Sequence, residues 1–580
     1  MRSSFRAPAL PSLNDNEHAS WWADVTLLSL IALLAAFIFY GVEQMNQPLG
    51  ALVSSPLSLD LSHLPAYTLR TTLRMFIALF ASLVFSLVVA TLAAKSRKAA
   101  VVILPALDIL QSVPVLGFLT FTVVFFMGLF PGKETGVECA AIFAIFTSQV
   151  WNMTFSVYQS LRTVPHDLQE VSRQFALSPW QRFVRLELPF ATPGLVWNMM
   201  MSMSGGWFFV VASEAITVGD TTVSLPGIGS WLALAIAQKN TVAIAWAVFA
   251  MAVVIILYNL LFFRPIVAWA DRFRFEQTAS QKRPRSRVYD LLRATRLVPW
   301  VLLVLEDLMA ALPLDRLARF ARRLRFHPGA RFNRLVDLAW RSLVAVACLV
   351  GAVQLSRFIG STLGLGDVIE VLGLGLATLL RVAVLIVLAS VVWVPAGVWI
   401  GLNPRWAERL QPIAQLLAAF PANVLFPFAV VAIVALKLNP NVWLSPLMVL
   451  GTQWYILFNV IAGASALPTD LREAARSFQV RGWQWWRQVA LPGVFPYYVT
   501  GALTAAGGSW NASIVAEAVS WGHEHLYASG LGSFIALATS AGDLQRVALG
   551  VSVMAMFVVG FNRLLWRPLY GYAERRLRID

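Results

Sequence analysis

The sequence has little charge and few cysteines, and these shortages exclude several classes of protein. Of its 580 residues only 13% are charged, whereas 58% are hydrophobic, and the mean hydropathy is +0.68. Soluble domains lie far from these values, which are typical of a protein that crosses a membrane several times. The two cysteines, Cys139 and Cys348, lie in apolar segments and lack CxxC spacing. No disulfide framework is therefore expected.

Nucleotide-binding and metal-binding motifs are also missing. Gly132-Lys133-Glu134 is the nearest piece to a Walker A motif, and it lacks the Ser or Thr and the upstream spacing that phosphate binding needs. The chain is therefore predicted to be no enzyme, with no cofactor of its own. His523-Glu524-His525 holds possible metal ligands, but such a tripeptide favours a solvated loop, so no metal site is predicted.

The net charge of +15 does not indicate nucleic-acid binding. The basic residues lie between the hydrophobic segments and form no single patch interleaved with aromatic residues. In a membrane protein this distribution favours cytoplasmic loops that obey the positive-inside rule. Membrane lipid, and not nucleic acid, is the expected surrounding partner.

Twelve apolar segments are long enough to cross a bilayer, which takes about 20 helical residues. The predicted fold class is an all-α polytopic membrane protein. Prolines interrupt the third span at Pro105 and Pro114, and Pro421 takes the place of Pro114 in the ninth. The predicted spans are 22–40, 64–94, 99–130, 137–158, 194–218, 241–263, 337–358, 370–401, 410–436, 441–464, 493–519 and 544–566.

Basic residues predict the orientation. They follow spans two, four and six, so these three loops lie on one side, which is the cytoplasm by the positive-inside rule. The N-terminus joins that side, and both termini of a bacterial inner-membrane protein would be cytoplasmic. The residues concerned are Lys95, Arg97, Lys98, Arg162, Arg173, Arg182, Arg185, Arg264, Arg272 and Arg274.

The chain divides into two membrane domains and a linker. Residues 1–20 form a polar tail without a cleavage site, so the first apolar run is predicted to remain as a membrane helix. The domains are predicted at 21–274 and 336–580. The basic linker 275–335 contains one apolar patch, 297–314, which is too short and too charged to span and predicts an interfacial helix.

The two domains are copies of one repeat. Each has an even number of spans, so both have the same orientation and the duplication is parallel, not inverted. The matching residues are Pro105 with Pro412, Pro114 with Pro421, Arg74 with Arg381, Gly205 with Gly508, Trp207 with Trp510, Glu214 with Glu517, Gly227 with Gly530, Gly229 with Gly532, Asn259 with Asn562, and Arg264-Pro265 with Arg567-Pro568.

A polar, amphipathic insert follows the fourth span of each domain. Residues 167–189 and 470–492 align with a constant offset, since Glu473 follows Glu170 and Leu491 follows Leu188 by the same 303 residues. Each copy is predicted to form two short helices joined by a turn. The Leu-Pro pair at its end is predicted to end the insert, because proline cannot continue a helix from a preceding turn.

Local signals in the first insert place the start of its second helix. Ser178 is a predicted N-cap, with Pro179 at the first helical position. Trp180, Phe183 and Val184 recur at helical spacing and predict one apolar face. Such a helix could lie on the lipid headgroups or bind a groove on a partner protein. Its duplication at the same topological position favours the partner.

This insert resembles the EAA loop of ABC importer permeases, in which Glu-Ala-Ala is followed by three residues, Gly, nine residues, an aliphatic residue, one residue and Leu-Pro. The second copy matches at Glu473-Ala474-Ala475, Val489 and Leu491-Pro492. The first copy keeps Glu170, Leu186 and Leu188-Pro189. The resemblance covers nearly the whole chain and is greatest to nitrate-, sulfonate- and taurine-type permeases, here with two permease domains fused.

The resemblance implies a function and partners. It implies a type I permease fold that forms the path for a small solute, such as nitrate, a sulfonate or bicarbonate. A periplasmic or lipid-anchored binding protein would deliver the solute. Two copies of a separate ATPase, which would hold the ATP and Mg, would bind the loops 159–190 and 465–492. The coupling residues it implies are Glu170, Ala176, Leu188, Pro189, Glu473, Ala474, Ala475, Gln479, Leu491 and Pro492.

The inserts depart from the family pattern at the glycine. Ala176 and Gln479 occupy that position. Because glycine favours the left-handed backbone conformation, its absence predicts a turn of different geometry. The two loops also differ from each other, which predicts that the two ATPase contacts are not identical.

Two pairs of charged residues inside the predicted spans recur in both halves. Arg74 and Arg381 lie in span two of each half, and Glu214 and Glu517 lie in span five. Burial of either charge alone is costly, so arginine and glutamate of one half are expected to pair. The pairs could be structural, or the arginines could attract an anionic solute.

Span five carries the polar residues that are candidates for the solute path. Small and polar residues at helical spacing either pack helices closely or line a wet cavity, and the pattern leaves both open. Trp207 and Trp510, next to the glycines, could form a gate. The broken third span is a further candidate. The span-five candidates are Ser202, Ser204, Trp207, Ser213, Ser509, Trp510, Asn511 and Ser513.

Two other functions compete with an ABC permease. A 6+6 secondary transporter of major-facilitator type also has parallel halves, but its charged signature lies between spans two and three, whereas here the large insert follows span four. A non-transporting membrane scaffold is the second alternative. Polar residues repeated in both halves argue against it.

Overall fold

The computed structural model is almost entirely helical and reproduces the two halves. It describes residues 57–111, 115–218, 221–273, 286–295, 330–465, 467, 469–522 and 524–576, with scattered residues between 24 and 43. The predicted first span, the tail 1–20, the interfacial patch 297–314 and His523 lie wholly or largely outside the described residues.

The first half consists of helices, with one small hairpin between its fifth and sixth spans. Short π-helical turns at Phe183–Glu187 and Asn259–Phe263 join consecutive helices. In chain order the elements are α1 (Leu64–Lys95), α2 (Arg97–Leu110), α3 (Val115–Leu129), α4 (Glu134–Arg162), α5 (His166–Gln174), α6 (Pro179–Arg182), α7 (Leu188–Glu214), β1 (Ala215–Val218), β2 (Thr221–Ser224), α8 (Ile228–Ala237), α9 (Thr241–Tyr258) and α10 (Arg264–Ala270).

The second half repeats this order after a linker helix, α11 (Arg287–Ala294). Its π-helical turns lie at Trp486–Ala490 and Asn562–Trp566. Its elements are α12 (Ala330–Gly360), α13 (Leu365–Leu402), α14 (Pro404–Ala419), α15 (Phe426–Ala435), α16 (Pro440–Trp443), α17 (Leu447–Leu450), α18 (Gln453–Ser465), α19 (Thr469–Ser477), α20 (Gly482–Trp485), α21 (Leu491–Ala516), β3 (Ala518–Trp521), β4 (Glu524–Tyr527), α22 (Leu531–Ser540), α23 (Leu544–Phe561) and α24 (Arg567–Arg576).

Within the described residues, eight helices are long and apolar enough to cross a membrane, or nine if the bent pair Pro440–Leu450 and Gln453–Ser465 is one span. The third span of each half is divided between two shorter helices. In the first half the division falls between Leu110 and Val115, as expected near Pro114, but α2 runs through Pro105 without a break. The predicted interruption at Pro105 is therefore wrong.

Span five of each half ends a few residues earlier than predicted. Residues 215–218 and 518–519 were expected to be helical, but both belong to β-strands. These strands open antiparallel hairpins in which Ala215 pairs with Ser224 and Ala518 with Tyr527. The β-branched residues there suit an extended strand better than a helix.

Each of these four π-helical turns ends two residues before a proline. Leu188 donates its backbone N–H to the Phe183 carbonyl, and Leu491 donates to Trp486. The same bond precedes Pro265 and Pro568 at the end of span six. Proline has no N–H and its ring clashes with the carbonyl four residues back, so the wider turn lets the helix continue.

Part of the third span of each half packs against the other half. Helix α3 packs against α21, α22 and α23 of the second half, and α14 packs against α7 and α9 of the first. Val115, Leu119 and Val123 accordingly belong to a core made mostly by the second half. The apolar surface that joins the halves therefore involves spans three, five and six of both.

Candidate coupling and transport sites

The first coupling loop, residues 163–187, begins with α5 and turns at Ala176. Ala176 has φ +48°, in the left-handed region. Its N–H donates to the Arg173 carbonyl at 2.9 Å, and Leu177 donates to Ser172 at 3.1 Å. This pair of bonds is the Schellman motif that ends many helices.

The second coupling loop, residues 466–490, makes the same turn. Gln479 has φ +54° and donates to Arg476 at 3.0 Å, while Val480 donates to Ala475 at 2.9 Å. The prediction that loss of the glycine changes the turn geometry is therefore wrong. Two hydrogen bonds per turn hold a conformation that costs a residue with a side chain about 1 kcal/mol.

After the turn the two loops differ. Ser178 accepts a hydrogen bond from Gln181, whose side chain accepts one from the Ser178 N–H, so the predicted N-cap is confirmed as a capping box. Pro179 follows at the first helical position, as predicted. In the second loop Arg481 is the N-cap residue without a side-chain hydrogen bond, and Gly482 has φ +59°.

The Leu-Pro pairs do not end a helix, contrary to prediction. Pro179–Glu214 and Gly482–Ala516 each form a single apolar helical segment, of 36 and 35 residues. The π-helical turn before Pro189 or Pro492 absorbs the missing backbone bond. Each coupling loop is therefore mechanically continuous with span five of its own half.

Ion pairs fasten the first loop to the end of span two. Glu187 accepts from Lys95 Nζ at 2.8 Å and from Arg182 Nε at 3.0 Å. Lys95 also lies 5.0 Å from the ring centre of Phe183, which stacks with Trp180 at 5.8 Å.

The second loop lacks this arrangement and is held by apolar contacts. Ala490 occupies the place of Glu187, and both Val489 and Ala490 are buried. Phe478 is 82% exposed and Trp483 is 73% exposed. The replacement of Glu187 by Ala490 therefore changes how the loop is attached, from an ion pair in the first half to apolar packing in the second.

The predicted coupling residues mostly lie on the surface of the loops. Glu170, Ala176, Glu473, Ala474, Gln479 and Leu491 are exposed, and Leu188, Pro189 and Pro492 are half-buried. Ala475 is buried against its own loop and carries the carbonyl that accepts from Val480. Their role in ATPase coupling stays a prediction.

At the end of the membrane helices opposite to the coupling loops, five charged residues of the first half form one buried network. Arg74 is fully buried and makes two bonds to Glu138, at 2.5 and 2.6 Å, and one to Glu214, at 2.6 Å. Arg70 contacts Glu134 and lies 2.9 Å from Glu138. The predicted pairing of Arg74 with Glu214 is confirmed, within a larger cluster.

The second half has a smaller version of this network. Arg381 Nη1 lies 2.9 Å from Glu517 Oε1, which confirms the second predicted pair. Asn441 takes the place of Glu138 and accepts from Arg381 Nη2 at 3.3 Å. The Arg381 side chain is 14% exposed, whereas that of Arg74 is fully buried.

In both halves the span-five carboxylate also caps the helix that follows the hairpin. Glu214 Oε2 accepts from the Gly229 N–H at 2.7 Å, and Glu517 Oε2 accepts from Gly532 at 2.8 Å. A carboxylate at a helix N-terminus is favoured by the free N–H groups and the helix dipole. A Cβ at Gly227 or at the matching glycine would lie 2.3 Å from the carboxylate oxygen, so only glycine fits.

The geometry bears on the two alternatives left open for the arginines. Arg74 directs its guanidinium at two carboxylates and at the Pro226 carbonyl, 3.1 Å away. All three guanidinium nitrogens of Arg74 are thus bonded within the protein, which favours the structural alternative, and the role of Arg74 stays a prediction. Arg381 has a single carboxylate partner in the described structure.

Several residues of this network were not predicted from the sequence, namely Arg70, Glu134, Glu138 and two threonines. Thr71 donates to Glu214 at 2.7 Å, and Thr378 donates to Glu517 at 2.9 Å. The signal for the charges was present, because Arg70 and Arg74, like Glu134 and Glu138, are four residues apart and share a helix face. The threonines also carried a signal, because Thr71 and Thr378 match in the repeat, each three residues before its arginine.

Most of the polar span-five candidates are packed rather than exposed. Ser202, Ser213, Ser509 and Ser513 are buried, and Ser509 bonds Thr452 at 2.9 Å. The hydroxyls of Ser213, Ser509 and Ser513 bond within the helices, whereas that of Ser202 has no partner in the described structure. Ser204 and Asn511 are half-buried and remain the candidates with access to a path.

The two tryptophans lie inside their own halves. Trp207 is fully buried and donates to the Tyr258 hydroxyl at 3.3 Å. Trp510 is 1% exposed and stacks on Phe557 at 6.4 Å. Both contacts are to span six of the same half, so neither indole is exposed in this conformation. A gating role for them stays a prediction.

These features define an α-helical membrane protein with two parallel repeats, each with a loop continuous with its fifth span. The family described as binding-protein-dependent transport system inner membrane component matches the chain twice, at residues 82–274 and 393–579. The two matches together cover more than half of the chain, which therefore belongs to this family. It is a transmembrane permease subunit of an ATP-driven importer and not an enzyme.

Individual relatives are shorter than this chain. The nitrate import permease protein NrtB of Leptolyngbya laminosa is 28% identical over 204 residues, which are 35% of this chain and 68% of the relative. The bicarbonate transport system permease protein CmpB of Synechococcus elongatus is 31% identical over 34% of this chain and 67% of the relative. The glycine betaine/proline betaine permease ProW of Escherichia coli is 33% identical over 23% of this chain and 36% of the relative.

Proposed function

We propose that this chain forms the complete membrane path of an importer for a small oxyanion. The relatives named for nitrate and bicarbonate support this class of solute. A single chain with both permease domains would supply both sides of the path. A binding protein on the outer face of a bacterial inner membrane would deliver the solute.

The observation that carries the proposal is the pair of coupling loops. They occupy the same position in two parallel halves, and each is continuous with its fifth span. A force applied to such a loop moves the span directly, because no flexible joint lies between them. Two copies of a separate ATPase, which hold the ATP and Mg, would bind the two loops on the cytoplasmic side, where both termini also lie.

Co-purification with a candidate ATPase tests the coupling role. Glu170→Lys and Glu473→Lys reverse one exposed charge in each loop, and each is expected to weaken ATPase binding. Glu370→Lys is the matched control, since Glu370 is exposed at the opposite end of the membrane part. If both loop variants retain the ATPase and still couple hydrolysis to uptake, the proposal is wrong.

Solute identity needs a separate measurement. Uptake of nitrate and of bicarbonate is measured in cells that carry this chain as their only such permease. Import of either anion that depends on the chain supports the proposal. Import of betaine instead of both anions contradicts the oxyanion assignment but leaves the coupling role intact.

A further inference from the structure

The span-five helices α7 and α21 each present one side to the other half of the chain, and the residues on these two sides differ in chemistry. Helix α7 presents Met201, which packs against an apolar cluster of the second half that consists of Ile400, Ala414, Leu457, Phe458 and Ile461. The carbonyl of Phe208, two turns further on, accepts from Asn423 of the second half at 3.4 Å. These contacts identify the face of α7 that meets the other half.

The repeat fixes the corresponding face of α21. Asn511 takes the place of Phe208, and its Oδ1 accepts from the Val115 N–H of the first half at 2.8 Å. Thr500, Thr504 and Gly507 lie on the same face, since they precede Asn511 by 11, 7 and 4 residues. Thr500 is exposed, and Thr504 and Gly507 are half-buried.

A position-by-position comparison shows the difference between the two faces. The first half has Trp197, Met201, Ser204 and Phe208 where the second has Thr500, Thr504, Gly507 and Asn511. Three of the four positions are therefore bulky and apolar on one side and small or polar on the other. A Cβ at Gly507 would meet nothing within 4 Å, so open space borders the polar face.

Further polar groups of the second half lie along the same interface. The Tyr455 hydroxyl reaches within 2.9 Å of the place where a Cβ on Gly205 would stand. Asn423 is 7% exposed, and its amide oxygen has no hydrogen-bond partner in the described structure. A buried amide oxygen without a partner is costly unless water or a solute satisfies it.

We propose that the solute path has a polar wall and an apolar wall, and that Thr500, Thr504 and Asn511 of the second half determine which solute passes. This inference rests on the proposed function and deepens it. Hydroxyl and amide groups offer both donors and acceptors to a small oxyanion. Neither α7 nor α21 contains a lysine or an arginine. An anion would therefore bind these faces weakly, through hydrogen bonds alone, and could dissociate again.

The hydroxyls are available for this role. Thr504 donates to the Thr500 carbonyl at 2.9 Å, and Thr500 donates to Pro496 at 3.2 Å. These bonds are local to the helix and satisfy the donors when no solute is present. A hydroxyl can rotate from its own backbone to a passing oxyanion, whereas the first half offers only Ser204 at these positions.

Thiol labelling tests whether the face is open to small anions. Thr500→Cys and Thr504→Cys are made in a chain that also carries Cys139→Ser and Cys348→Ser, and are treated with a membrane-impermeant sulfonate-bearing thiosulfonate. Both are expected to be labelled. Ser513→Cys, fully buried on the same helix, is the control and is expected to stay unlabelled. Absence of labelling at both threonine positions overturns the proposal.

Uptake measurements test whether the hydroxyls matter. Thr500→Val with Thr504→Val removes them at constant size, and nitrate or bicarbonate uptake is expected to fall about tenfold, the effect of one lost hydrogen bond. Gly507→Leu should abolish uptake by filling the path. Gly351→Leu, which also meets no atom within 4 Å but lies on the outside of α12, should leave uptake unchanged.

The outcomes separate this inference from the proposed function. Unchanged uptake in the double valine variant overturns the role of the hydroxyls even if Gly507→Leu blocks transport. Unchanged uptake in both variants removes this face from the path altogether. If instead the unmodified chain binds no ATPase, the proposed function fails. The labelling result then still shows whether the face with Thr500 and Thr504 is accessible to a small anion.

Discussion

Asn511 accepts a hydrogen bond from the backbone N–H of Val115 at 2.8 Å, across the boundary between the halves. Val115 is the first residue of α3, directly after the break in span three, so its N–H has no partner within its own helix. On the other side of the repeat axis Asn423 donates to the Phe208 carbonyl at 3.4 Å. Both bonds connect span five of one half to the broken span of the other, and both amides come from the second half.

Asn511→Leu should destabilise the chain by about 1–3 kcal/mol, because it leaves the Val115 N–H buried without an acceptor. Thermal unfolding in detergent, followed by tryptophan fluorescence, measures the change. Asn198→Leu is the matched control, since Asn198 bonds only the Gly194 carbonyl of its own helix at 2.9 Å. An equal loss in both variants would show that the bond between halves has no special value.

Ala176→Gly and Gln479→Gly should each stabilise a coupling loop by about 1 kcal/mol. Both residues have positive φ, a conformation that glycine adopts without a steric cost. Hydrogen exchange of the turn amides would become slower in each variant. Phe175→Gly is the control, because Phe175 has φ −75° and glycine there only adds freedom to the unfolded chain. Faster exchange in the first two variants would contradict the left-handed turns.

Arg74→Leu should destabilise the protein more than Arg381→Leu. Loss of Arg74 leaves Glu138 and Glu214 buried with too few cations, an effect of about 3–5 kcal/mol. Loss of Arg381 leaves only one buried carboxylate, Glu517, without its cation, at a site where the arginine itself is partly exposed. Yield and unfolding temperature of the purified variants provide the comparison. Equal losses would mean that the additional glutamates of the first half contribute nothing.

Glu138→Asn introduces the residue that the second half has in this position, Asn441. Arg70 keeps Glu134 and Arg74 keeps Glu214, so every charge retains one partner. The variant should therefore be only about 1 kcal/mol less stable, well short of the loss in Arg74→Leu. A collapse of stability in this variant would show that Glu138 is indispensable to the network.

Gly227→Ala and Gly530→Ala should each destabilise the chain by about 1–3 kcal/mol. The added methyl group would stand 2.3 Å from the oxygen of Glu214 or Glu517 and displace the carboxylate from its arginine and its helix N-terminus. Thermal unfolding measures the loss. Gly507→Ala, with no atom within 4 Å of the new methyl group, should have no such effect.

Part of this structure could be read from the sequence because its causes are local or repeated. The apolar runs predicted the spans, and their duplication predicted two parallel halves. Ser178 with Pro179 predicted the start of a helix, and the paired intramembrane charges predicted Arg74 with Glu214 and Arg381 with Glu517. In each case a nearby residue or a matching copy carried the information.

The remaining features could not be predicted from residue type and spacing alone. The left-handed turn at Ala176, the continuation of the helix through Pro189, and the membership of Glu138 in the charge network each overrode or escaped a local rule. Side-chain propensity at such positions is worth about 1 kcal/mol, less than the hydrogen bonds and packing that fix them. The sequence by itself therefore determined the spans, the duplication and the position of the coupling loops. Only the three-dimensional structure decided how the loops join span five and which faces of the two halves meet, because backbone hydrogen bonds set the first arrangement and packing between the halves sets the second.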